Sequence, residues 1–127
     1  MMNARAFAVY QESQREATVD QATPLDLVIL TYERVIHHCD RAAEDFKHGR
    51  DSEEAVTSAL NLISDGLQSC LDFDRGGEVA RNLSALYEWS AAELVRSRMK
   101  RDVDGVLAVR DALWELLDGW RSLRGVY

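Results

Sequence analysis

Residues Thr23 to Cys39 read TPLDLVILTYERVIHHC, and this run limits the fold more than any other part of the chain. Its Thr-Pro pair opens a helix sharply. Threonine accepts an orphan amide bond at a helix N-terminus, and proline tolerates the first helical position, where no donor is needed. Asp26 follows three residues after Thr23, close to a capping box, and its charge suits the positive end of the helix dipole. Leu25, Leu27, Val28, Ile29 and Leu30 then crowd the first turns. This is more apolar surface than one buried face requires, and such a surplus on a small acidic protein points to a partner.

Pro24, the only proline, divides the main domain from a polar arm. Asn3 to Glu16 holds good helix formers but a thin apolar set, Phe7, Val9 and Tyr10, so its order depends on docking. Residues 1–22 are therefore expected to be arm and linker. In the first main helix, Leu25, Val28, Tyr32, Val35 or Ile36, Cys39, Ala43 and Phe46 keep three- and four-residue spacing, and Gly49 suits the left-handed position beyond it. Asp51 or Ser52 caps a second helix with Val56, Ala59, Leu60, Ile63, Leu67, Cys70 and Leu71 along its seam. Asp72 to Gly77 is the clearest internal break. Val79, Leu83, Leu86, Tyr87, Ser90 and Leu94 mark a third helix. Asp102 caps a fourth, carrying Val103, Val106, Arg110 by its stem, Leu113, Leu117, Trp120 and Leu123.

No window alternates with period two. The expected fold is all-α: an antiparallel up-down four-helix bundle over residues 23–124, preceded by a short helical or disordered arm. The helices are predicted near 24–48, 52–72, 78–99 and 102–123. Ile29, Leu62, Trp89, Val95, Leu107, Val109, Trp114 and Leu116 fall outside the seams. Of these, Ile29, Leu62, Trp89, Val95, Leu107 and Trp114 are predicted to line an exposed client-binding groove.

With 127 residues the chain can build one core. Its net charge of −7 argues against nucleic acid, whose binding is driven by phosphate neutralisation. The basic cluster Arg96, Arg98, Lys100 and Arg101 falls at a helix end, where cations complement the dipole. Leu27 to Tyr32 is far shorter than the roughly 20 residues of a membrane span. The N-terminus has no secretion-signal pattern, so the cytosol is the expected compartment, and Cys39 and Cys70 are expected as reduced thiols.

Chemistry finds little purchase. His37, His38 and His48 with Glu33, Glu44 and Cys39 suggest a metal cluster, but Glu33–His37 and Glu44–His48 are four apart. Bundle di-iron sites use Glu-x-x-His on two helices plus two further glutamates. No His-Glu-x-x-His or paired Cys-x-x-Cys motif exists for zinc. Cys39 and its neighbouring histidines diverge around the helix and cannot pair. Gly76-Gly77 lacks the lysine and hydroxyl residue of a phosphate loop. No catalytic residue, metal site or cofactor is expected.

Three segments resemble the FliS family of flagellin-specific export chaperones. The first runs from Thr23-Pro24-Leu25-Asp26-Leu27-Val28 through Leu30, Tyr32 and Glu33. The second is Ala59-Leu60-Asn61-Leu62-Ile63 with Gly66-Leu67 and Leu71-Asp72. The third, Gly76-Gly77-Glu78-Val79-Ala80-Arg81-Asn82-Leu83 with Leu86-Tyr87-Glu88-Trp89, runs on to Asp102-Val103 and Trp120. Where relatives often have Ala-Asn near the end of the third helix, this chain has Arg96-Ser97-Arg98. The resemblance implies a non-enzymatic cytosolic chaperone that binds the disordered C-terminal region of flagellin, prevents premature polymerisation, and brings the client to the export gate protein FlhA. It also implies that Phe7 and Tyr10 in the arm cover apolar surface and dock to the gate. A helical adaptor or dimerisation module with a different client is the alternative, and homodimerisation stays open.

Overall fold

The computed structural model describes residues 23–124, which form four helices and, among the described residues, no strand. Helix α1 spans Pro24–Lys47. The amide of Asp26 donates to Thr23 Oγ1 at 3.0 Å and that of Thr23 to Asp26 Oδ2 at 3.4 Å, which closes the capping box. Such a cap contributes about 1 kcal/mol and fixes where the helix begins. At the other end, His48 and Gly49 turn the chain, with Gly49 at φ +72°. Glycine adopts that left-handed conformation without steric cost.

Helix α2 begins at Glu53 and is regular only to Asn61. Its N-cap Ser52 makes no capping bond, because its hydroxyl donates instead to Asp45 Oδ2 at 2.7 Å. From Leu62 to Leu67 the helix widens into π turns, then tightens to a 3₁₀ turn over Gln68–Cys70. Here α2 lies hard against α1: a Cβ on Gly66 would stand 3.2 Å from Thr31 Cγ2. Ile63 and Leu67 remain buried through this change of pitch, while Leu62 is only half-buried.

Helix α3 spans Phe73–Lys100 and is kinked at Gly77, whose φ of +50° and ψ of −122° are non-helical. The expected break at 72–77 is therefore a single helical turn followed by a kink. Asp72 caps this turn by accepting the Arg75 amide at 3.0 Å. Helix α4 spans Val103–Arg121, and its Asp102 cap accepts the Gly105 amide at 3.2 Å.

The helices form a square in which α1 contacts α2 and α4, and α3 contacts the same two. This is the antiparallel four-helix bundle. At its centre Trp120 of α4 meets Tyr32 of α1 edge-on, with ring centroids 6.2 Å apart. Tyr32 and Tyr87 join their hydroxyls across the diagonal, so both phenols are satisfied in an apolar interior. Burial pushes the Cys39 thiol up to about 12, as expected of a core thiol with little thiolate character. Ile29, expected on a groove wall, is wholly buried. Spaced four residues from Leu25 and three from Tyr32, it joins their face, and Val109 is enclosed in the same core.

Candidate functional site

Where α3 and α4 meet at their connecting turn they touch closely: a Cβ on Gly105 would stand 2.2 Å from Ser97 Oγ. Arg96 reinforces that end. Its guanidinium binds Glu93 twice at 2.9 Å and Asp102 Oδ2 at 2.8 Å. Those hydrogen bonds hold Glu93 and Asp102 below the usual carboxylate range. Further from the turn the two helices leave a groove of 690 Å³, lined by Leu86 of α3 and by Ala112, Glu115, Leu116, Asp118, Gly119 and Ser122 of α4. Its floor is Leu86 and Leu116 beside the small Ala112 and Gly119, and its rim is acidic. Among the described residues no cation pairs with Glu115 or Asp118. Apolar floors with charged rims seat amphipathic helices.

The opposite flank of α4 is closed. Arg110 binds Asp40 of α1 at 3.0 Å, Arg121 binds Glu33 at 2.7 Å, and Arg124 approaches Asp26 at 3.8 Å. The Arg121 guanidinium also lies 5.4 Å from the centre of the Trp114 ring. A smaller hollow of 150 Å³ lies between α2 and α3, lined by Ile63, Ser64, Gln68, Tyr87, Glu88 and Ala91.

Against this geometry the six predicted groove residues separate. Trp89, 43% exposed, stands one turn from Leu86 but is not among the residues that line the α3/α4 groove. Val95 is a turn beyond Ala91 on the α2/α3 side, and Leu62 is half-buried at the π turn. Trp114, 50% exposed, belongs to the closed α1/α4 flank, as its contact with Arg121 shows. Leu107 is half-buried two turns before it. With Ile29 in the core, the six do not share one surface. The hollow between α3 and α4 is lined by other residues, Leu86, Ala112, Leu116 and Gly119 among them. Their signal was present in the sequence as a four-then-three spacing of apolar and small residues along α4, on the side away from Trp114.

Phe7 and Tyr10 lie outside the described residues. The histidines take separate surroundings: His48 Nδ1 contacts the Glu44 carbonyl at 2.9 Å, His37 is exposed, and His38 is half-buried. Burial, followed by the neighbouring His37, lowers the His38 pKa. Glu33, four residues before His37, is engaged by Arg121. Among the described residues no three His, Cys, Asp or Glu side chains converge as metal ligands. Nor is any helix among them long and apolar enough to cross a membrane.

The family described as "Flagellar protein FliS" matches residues 6–126. The flagellar secretion chaperone FliSB of Pseudomonas aeruginosa is 31% identical over 125 residues, covering 97% of this chain and 98% of its own length. The flagellar secretion chaperone FliS of Campylobacter jejuni is 30% identical over 125 residues, with 97% and 94% covered. That of Salmonella typhimurium is 27% identical over 125 residues, with 97% and 93% covered.

Proposed function

The chain belongs to the FliS family, and on that premise we propose that it holds the disordered C-terminal region of flagellin as helices in its apolar groove. A chaperone role in flagellar secretion comes with the family, and that role requires no catalysis. The finer reading rests on one observation: the α3/α4 groove, apolar at Leu86 and Leu116 and open along several turns. A client that orders on binding must offset several kcal/mol of lost freedom, so it needs a long apolar contact. Anchors at helical spacing supply that contact. Sequestering the segment that would otherwise polymerise keeps the client monomeric in the cytosol until export. Delivery to the gate protein FlhA completes the proposal, with Phe7 and Tyr10 as the handle. Its support is the family resemblance of that apolar-x-x-Tyr pair.

Calorimetry of the full chain against the flagellin C-terminal peptide tests this reading. Binding at micromolar Kd or tighter, about −8 kcal/mol or better, is expected together with a strongly negative heat-capacity change. Absence of heat at several temperatures removes it.

A further inference from the structure

The loop end of the bundle brings together the α1–α2 turn and the end of α3. Arg101 there adopts the left-handed conformation at φ 50° and donates from Nη1 to the Gly49 carbonyl at 2.8 Å. Arg98 makes a two-pronged contact with Asp51, at 3.0 and 2.9 Å. Around them lies a hollow of 580 Å³ lined by Asp51, Arg98, Met99, Lys100 and Arg101. Three cations and one anion line the hollow of a chain whose net charge is −7, and Glu53 at its edge stands 3.6 Å from Arg98. Arg98 engages both Asp51 and Glu53, and among the described residues Lys100 has no carboxylate partner.

The same surface is oily. Met99 is 81% exposed, more than any other large apolar side chain among the described residues, and Val95, one turn earlier, is 46% exposed. Methionine is flexible and polarisable and suits surfaces that adapt to a guest. Capping accounts for Arg101, ion pairing for Arg98 and the helix dipole for a cation at Lys100, but none of these covers the bare Met99–Val95 strip beside them. A nucleic acid would leave that strip uncovered and meet an otherwise acidic protein. A protein segment with acidic residues flanking an apolar anchor satisfies both features.

We propose that this hollow is a second docking surface, one that takes an acidic amphipathic protein segment while the α3/α4 groove is occupied. Leu86 in the groove and Met99 at the hollow are 13 residues apart on one helix, or about 20 Å at 1.5 Å per residue. Charge sorts the guests: Glu115 and Asp118 on the groove rim repel the acidic segment that Lys100 attracts. A secretion chaperone gains from this separation, because a receiving protein can engage it before the cargo is released.

The test uses the full-length chain and a synthetic amphipathic helix with a glutamate face and a leucine face. Titration followed by amide NMR should move Asp51, Val95 and the stretch Arg98 to Arg101, and added salt should weaken binding. Lys100→Glu combined with Met99→Ser should weaken it about tenfold by removing one charge contact and one apolar anchor. Both side chains face solvent and Lys100 meets only the helix dipole, so the double variant should stay folded and melt within a few degrees of the wild type. Prior saturation with the flagellin C-terminal peptide should leave affinity for the acidic helix unchanged. Equal binding of a probe with glutamine in place of glutamate, shifts mapping elsewhere, unchanged binding by the double variant, or displacement by the flagellin peptide would each overturn the proposal. A chain that ignored the flagellin peptide yet bound the acidic helix at these residues would sink the client reading and leave this one standing.

Discussion

The two flanks of α4 show how one helix can be sealed on one side and receptive on the other. Toward α1 it presents Arg110, Arg121 and Arg124, each met by a carboxylate of α1, with Trp114 laid beneath Arg121. Toward α3 it presents Ala112, Leu116 and Gly119, with Glu115 and Asp118 at the edge and no cation to meet them among the described residues. Long side chains bridge the first gap, whereas small ones leave the second unfilled. Apolar content does not separate the flanks, since the sealed side carries the larger aromatic. What separates them is whether the charges find partners among the described residues.

Filling the open side gives the largest expected effect. Ala112→Trp places a ring over the groove floor and should reduce affinity for the flagellin peptide by about thirtyfold or more, the ~2 kcal/mol typical of a blocked hot spot. Trp114→Ala removes an exposed ring of greater area from the sealed flank and should leave that affinity unchanged. Calorimetry on both variants checks the pair. If the second substitution weakened the client as much as the first, the distinction between the flanks would fail.

A smaller effect separates the flanks by stability. Arg121→Glu sets a carboxylate against Glu33 and removes the cation from Trp114, so it should cost about 1 kcal/mol. Glu115→Lys on the groove side breaks no ion pair among the described residues and should stay within about 0.5 kcal/mol of wild type. Urea unfolding midpoints read both. Equal costs would mean that the α1/α4 ladder contributes no more than solvated surface charge.

The sequence made some of this legible because it was local. Thr23 and Asp102 declare helix starts through bonds to amides three residues away, and Gly49 declares a turn through its own φ. The π turns over Leu62–Leu67 could not be read in this way. They coincide with the close approach of Gly66 to Thr31, a contact between residues 35 positions apart in the chain. The six expected groove residues fall on different surfaces for a related reason. Helical periodicity says that a residue leaves the seam but not toward which neighbour. Thus Ile29 turned into the core, Trp114 toward α1 and Val95 toward α2, while Leu116 and Gly119 turned toward the open side. Exposed aromatics drew the sequence reading, although small residues make a groove.

The smallest expected effect concerns the point where the open flank closes. Near the α3–α4 turn the seam is held by Arg96 between Glu93 and Asp102. Both carboxyls lie below their ordinary values of 4.5 and 3.8, chiefly through hydrogen bonds from Arg96. A carboxyl whose folded pKa is depressed adds stability that is fully present above its unfolded value and is lost as pH falls through the folded one. Stability should therefore hold level above about pH 5 and decline below the ordinary carboxylate range. Arg96→Ala removes the cause of the depression, so the variant should start less stable at neutral pH and lose less on acidification. These groups are only partly buried and are screened by solvent, which keeps the difference small. Urea unfolding of both proteins from pH 7 to pH 3 measures it, and parallel curves would show that Arg96 does not hold the closed end of the groove.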